Sequence, residues 1–290
     1  MGKDPDFKPE DYVRAARQEI AAWERGKRGY LTRISDAVLN PAARLTAKMA
    51  PQSARKAAGK VIEKTLRSIA QAGQFSVDAE AINKRRTKRL GRRRAVGSQL
   101  KACDALAKGS WTSHCGYAAA EGAATGVMGF AGFVADIPLI LSIAIREIRT
   151  IGLCYGYSTT ELSETDYVLH ILRIGSSGDA GVKLESLLVL KALEKAMVKF
   201  HNQKRLKPDT TTPSKNVQYL ITIQEYAKSL AVELVQRRAL QLVPLTGALT
   251  GASFNAAFAN DIGRAAYMCY RRRFLLDAEN NQEIANQGYI

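Results

Sequence analysis

The sequence is poor in the residues that carry metal, redox and nucleophilic chemistry. It has three histidines in 290 residues, at positions 114, 170 and 201, and none stands in an HExxH or any other zinc-ligand spacing. His114 and Cys115 are adjacent, which points the two side chains apart on a helix. Four cysteines, at 103, 115, 154 and 269, lie far from one another with no CxxC pair, so they read as reduced, mostly buried thiols. No phosphate-binding loop or activated nucleophile is recognisable, and neither a metal nor a cofactor is expected. The opening MGKDPDFKPEDYVRAARQEI lacks an apolar signal core, so the chain is expected to begin in the cytoplasm, and Asp6 breaks the myristoylation pattern. Alternation of the kind that makes β-strands is nearly absent. Helical periodicity dominates, and the expected fold class is all-α.

Charge is present, and it is uneven. The chain carries +16 overall. Residues 1–101 hold 24 Lys/Arg against 10 Asp/Glu, a balance of +14, whereas residues 102–290 hold 19 against 17, a balance of +2. A basic N-terminal third therefore precedes a nearly neutral, more apolar remainder. The densest run is NKRRTKRLGRRR at 83–94, with Lys84, Arg85, Arg86, Lys88, Arg89, Arg92, Arg93 and Arg94. It has no interleaved aromatic on which a base could stack, so specific nucleic-acid readout is not expected. A surface for phosphates or anionic lipid headgroups, at roughly 1 kcal/mol per basic residue near a membrane, and a merely solvated face are the two readings left open.

Along the chain, EDYVRAARQEIAAWERGK places Tyr12, Val13, Ala16, Ile20 and Trp23 on one stripe. Pro41 and Pro51 break the next region, with Ser53 as a helix N-cap and Val61, Thr65, Leu66 and Ile69 as an apolar face. Gly156 ends a long helix, and Ser163 begins another, with Asp166 three residues on in a near capping box. Pro244 interrupts or kinks the last long helical region.

Two low-charge runs stand out. Residues 122–145 contain one charged residue, Asp136, and the 22 residues 239–260 contain none. Gly122, Gly126 and Gly129 in the first, and Gly247 and Gly251 in the second, give small-residue stripes that admit close helix approach. Each run is long enough to cross a bilayer, which needs roughly 20 apolar residues. Polar residues in the second run, and an aspartate that costs about 2.5–3.5 kcal/mol mid-span, favour packed helical hairpins, with conditional insertion as the alternative. Pro138, two residues after Asp136, predicts a helix start there, with Asp136 as its cap. A functional alternative makes Asp136 one of a buried charge set with Arg146, Glu147 and Arg149 or, across the core, with Asp261 and Arg264, although Arg146, Glu147 and Arg149 lie too close in sequence to be buried all on one face. Glu121 is the other carboxylate that such a site would draw on.

CDALA at 103–107, EGAATGVMGFAGFVADIPLILSIAIREIRTIGLCYGY at 121–157 and VPLTGALTGASFNAAFANDIGRAAYMCYRRRFL at 243–275 resemble the EcsC family of bacterial proteins. The resemblance covers the C-terminal two thirds distinctively. It implies an all-helical domain associated with membranes or transport, and supplies no catalytic residues.

Together these readings predict a single helical domain over 11–278, with a basic layer to about residue 101, an apolar part over 102–278 and two Ala/Gly-rich hairpins at its centre. Residues 1–10 and 279–290 are expected as flexible tails. The expected function is non-enzymatic association with an anionic membrane or lipid at the cytoplasmic face. The alternatives are a hydrolase-like enzyme using Glu121, Asp136 or Asp261, and an interaction module with a protein partner in a transport or toxin system.

Overall fold

The computed structural model describes residues 6–26, 52–72, 77–125, 129–158, 162–177, 180–206 and 247–286, together with Ala227, Lys228, Leu230, Ala231 and Leu234. Among these, eight helices and no strand are found: α1 (Pro9–Arg25), α2 (Gln52–Ala72), α3 (Ala79–Leu90), α4 (Val96–Thr125), α5 (Gly129–Tyr155), α6 (Leu162–Ser176), α7 (Ala180–Leu206) and α8 (Gly247–Asn286). The all-α expectation holds.

Local chemistry sets most helix ends. Pro9 opens α1 where a missing N–H costs nothing, Glu10 and Asp11 oppose the dipole of its first turn, and Gly26 closes it by donating to Ala22 O and Trp23 O. Asp78 caps α3 by accepting from the Ala81 amide at 2.8 Å. Gly91 ends α3 at φ +50°, and Gly156 ends α5 at φ +95°. At the second stop the Gly156 amide donates to Leu153 O and the Tyr157 amide to Gly152 O, the paired bonds of a Schellman turn. The expected stop at Gly156 is therefore found.

α8 organises the molecule. Its 40 residues extend about 60 Å, packing against α4, α5 and α6, with α1 and α7 at its margins. Residues 265–272 are buried at every position, more than two full turns, so neighbours surround this stretch on all sides. Such a helix needs close crossings, and glycines provide them. A Cβ at Gly175 of α6 would lie 2.8 Å from Ile262 Cα, and one at Gly152 of α5 would lie 2.7 Å from the Tyr270 ring.

Several boundaries differ from the sequence reading. α5 runs unbroken through Pro138, so Asp136 lies inside a helix and is not the cap of a new one. Proline loses one backbone bond and crowds the preceding turn, but a buried face of Ile137, Ile140, Leu141, Ala144 and Ile145 holds the helix together beyond it. Ser53 and Ser163 fall in the first turns of α2 and α6 and not ahead of them. α2 buries Leu66 as expected, but its other fully buried residues are Ala58 and Ile62, while Val61 and Thr65 are only half-buried and the side chain of Ile69 lies outside the described residues. α8 continues to Asn286, and Glu279 pairs with Arg17, so the helix occupies the first part of the expected tail. Pro41, Pro51 and Pro244 lie outside the described residues, as does much of the second expected hairpin.

Candidate functional site

α3 is a surface helix with no fully buried residue. Its inward contacts come from Ile82, Arg86 and Leu90, four residues apart and therefore on one stripe. Ile82 and Leu90 pack on the core. Arg86 is half-buried against the α5 terminus, where a Cβ on Gly156 would sit 2.6 Å from its Nη1. The remaining cations, Lys84, Arg85, Lys88 and Arg89 on the helix and Arg92, Arg93 and Arg94 in the turn after it, are exposed. Arg93 donates back to the Arg89 and Leu90 carbonyls, and its own carbonyl accepts from Gln99 Nε2 at 3.0 Å. None of the eight pairs with a carboxylate among the described residues. The structure thus presents seven cations in one short segment and turns the eighth inward as an anchor.

The other expected site residues do not form one cluster at the surface or in the interior. Asp136 and Asp261 are buried, whereas Arg146 and Arg264 are exposed. Gly122, Gly129, Gly247 and Gly251 fall on helices, but their surroundings lie outside the described residues, as do Gly126 altogether and the side chain of Glu121.

The strongest electrostatic feature is one the sequence reading left out. Arg271, Arg272 and Arg273 are consecutive on α8, about 100° apart around its axis, and each reaches carboxylates on different helices. Arg271 meets Asp104 of α4 at 2.9 Å and Glu19 of α1 at 2.5 Å. Arg272 meets Glu194 of α7 at 2.8 Å and Glu24 of α1 at 2.6 Å. Arg273 grips Glu164 of α6 through two nitrogens, at 2.6 and 2.9 Å. Burial alone would lower these guanidinium pKa values, but the surrounding carboxylates and tyrosines outweigh it and hold all three above their ordinary range. Tyrosines complete the acceptors: Tyr12 and Tyr155 donate to Asp104 at 2.7 and 2.6 Å, and Tyr167 donates to Glu194 at 2.7 Å. A buried ion pair gains little over an apolar one, but leaving one partner alone costs several kcal/mol, so this set fixes which helices meet. The signal available in the sequence was RRRF directly after the low-charge stretch AAYMCY of the same helix.

One buried acid has no such support. Glu147 of α5 is fully buried, and neither carboxyl oxygen has a hydrogen-bond partner among the described residues. It lies under Gly263 of α8 beside Trp111 of α4: a Cβ on Gly263 would meet Glu147 Oε1 and Trp111 Cδ1, each at 2.3 Å. Desolvation pushes its pKa well above the usual carboxylate range, which favours its neutral form in the fold.

Nucleophilic chemistry finds little support among the described residues. Burial pushes the thiols up, Cys103, Cys115 and Cys269 to about 12 and Cys154 to about 11, so thiolates are scarce at neutral pH. No three His, Cys, Asp or Glu side chains gather as a metal site would need, among the described residues. A groove of about 340 Å³ lies where the starts of α1 and α4 meet the far part of α8, lined by Glu10, Val13, Val96 and Leu275 among others. Arg17 and Glu279 both line it and pair with each other. Asp136 and Asp261 lie elsewhere.

A sequence model of the EcsC protein family matches residues 14–275. The uncharacterized protein YdbA of Bacillus subtilis (strain 168) is 24% identical over 272 residues, covering 90% of this chain and 92% of the relative. Protein EcsC of the same organism is 28% identical over 170 residues, covering 59% of this chain and 63% of that relative. No solved structure matches.

Proposed function

The chain belongs to the EcsC protein family, and we propose that it is a non-enzymatic, peripheral protein of the cytoplasmic membrane face, docking through α3 on anionic lipid headgroups. The carrying observation is the contrast between two sets of arginines. Arg271, Arg272 and Arg273 of α8 are each matched to carboxylates inside the fold, whereas seven cations of α3 and its following turn face solvent without a carboxylate partner among the described residues. Unmatched cations on one short surface segment raise the local potential and attract polyanions. Among the described residues no helix is long and apolar enough to cross a membrane, which favours contact at a surface. The thiols, held protonated by burial, support a non-enzymatic reading.

Flotation with vesicles of phosphatidylcholine alone, and with a third of phosphatidylserine added, tests this. The protein should float with the anionic vesicles only, and added salt should release it because exposed charges are screened beyond about 8 Å at physiological ionic strength. Equal recovery on neutral and anionic vesicles would overturn the proposal.

A further inference from the structure

A second surface of the molecule carries a pattern of its own. α7 faces inward through Ser186, Leu187, Leu190 and Glu194, all buried. Its start is tied to the end of α1, where Lys183 Nζ donates to Trp23 O at 2.9 Å and to Gly26 O at 3.0 Å. The opposite face is exposed and mostly apolar: Leu184, Leu188, Ala192 and Ala196 recur every four residues, with Val189 beside them. Leu184 and Leu188 are 58% and 60% exposed, and three of the six large exposed hydrophobics of the described chain are on this one helix. Two leucines one turn apart, each more than half in water, forgo apolar burial that a partner would recover.

The order of residues along this face says which partner fits. We infer that α7 packs antiparallel against α7 of a second copy of this chain, centred on position 190. In that register Leu184 of one copy meets Ala196 of the other, and Leu188 meets Ala192, so each large side chain faces a small one, as interdigitating helices require. The same register sets Glu185 against Lys195, twice by symmetry. Both are exposed. Lys195 has no carboxylate partner among the described residues, while Glu185 is held loosely by Arg173 at 3.2 Å and remains 61% exposed. A parallel pairing would instead put leucine on leucine and like charge on like charge. Size and charge complementarity thus select one orientation and one register from a single helix face. The contact is isologous, and one helix pair buries less than the roughly 1,200 Å² of a stable interface, so association is concentration-dependent.

Sedimentation equilibrium from about 5 to 500 µM tests it without vesicles. The mass should rise with concentration from 31.7 kDa toward twice that value. Leu188→Asp, at an exposed site, should abolish the rise while leaving the thermal midpoint unchanged. Lys195→Glu should weaken association roughly tenfold by setting like charges opposite each other at two places, and Glu185→Lys with Lys195→Glu should restore it. A wild-type chain that stays monomeric throughout overturns the inference. So does a dimer that persists in Leu188→Asp, or a double variant as weak as Lys195→Glu alone. A wild-type monomer whose vesicle recovery drops on Leu188→Asp would assign this face to a bilayer instead. The outcome is independent of α3 docking, because no lipid is present in the mass measurement.

Discussion

Replacing Glu147 with methionine should stabilise the protein, and by more at higher pH. The wild-type carboxyl is fully buried between α4, α5 and α8 with both oxygens unpartnered among the described residues. Its facing groups are Trp111 and the half-buried Cys115 of α4 and the backbone at Gly263 of α8. Arg146, next to it on α5, is exposed. Burial raises its pKa without an opposing charge, so the folded state holds a proton that the unfolded chain gives up. The stability contributed by the neutral form is complete below the unfolded carboxyl value of about 4.3. It is lost as pH rises toward the folded value, at about 1.4 kcal/mol per pH unit. Methionine has similar length, breaks no hydrogen bond here and has no proton to lose. Urea unfolding at pH 5, 6, 7 and 8 should therefore show Glu147→Met gaining on the wild type as pH rises. A constant difference between the two across that range, or a variant less stable at every pH, would refute the reasoning.

Other perturbations follow from the same geometry. Arg272→Gln strands Glu194, and should cost about 3–5 kcal/mol in denaturant unfolding, whereas Arg272→Met with Glu194→Leu should cost clearly less because no charge is left alone. Gly175→Ala forces a Cβ to within 2.8 Å of Ile262 Cα at the α6–α8 crossing, and should destabilise by about 1–3 kcal/mol, read as a lower thermal midpoint. Thiol titration at pH 8 should find Cys103, Cys154 and Cys269 unreactive in the native protein and all four cysteines reactive in guanidinium. His170, whose pKa burial lowers to about 4, should make stability fall as pH drops below about 6.5, opposite in sign to Glu147. Replacing it with phenylalanine should flatten that acid limb in the same urea series.

Much of the architecture was legible because amphipathic period and glycine stops act locally. The α1 stripe of Ala16 and Ile20 and the end of α5 at Gly156 needed no tertiary information. Asp136 was misplaced because Pro138 is a strong local signal for a helix start, and only the packing of the buried residues after it keeps α5 continuous. The arginine set was illegible for a different reason. Three adjacent arginines look alike whether they meet water or carboxylates, and their partners Asp104, Glu164, Glu194, Glu19 and Glu24 come from four other helices. Glu147 looked like one member of a mixed charged trio with Arg146 and Arg149. Its isolation follows from how α4 and α8 cross over it. The cations at 84–94 were legible as a run. That none of them meets a carboxylate among the described residues, and that Arg86 alone turns inward, depends on where the carboxylates of the fold lie.

Stepwise neutralisation of α3 tests the membrane proposal most directly. Lys84, Arg85, Lys88, Arg89, Arg92, Arg93 and Arg94 are changed to glutamine in three successive pairs and a final single change, and the partition coefficient on phosphatidylserine-containing vesicles is measured at fixed salt. At roughly 1 kcal/mol per basic residue, each pair removed should weaken binding by more than tenfold, with binding to neutral vesicles absent throughout. A partition coefficient that stays level as all seven charges are removed would contradict the account.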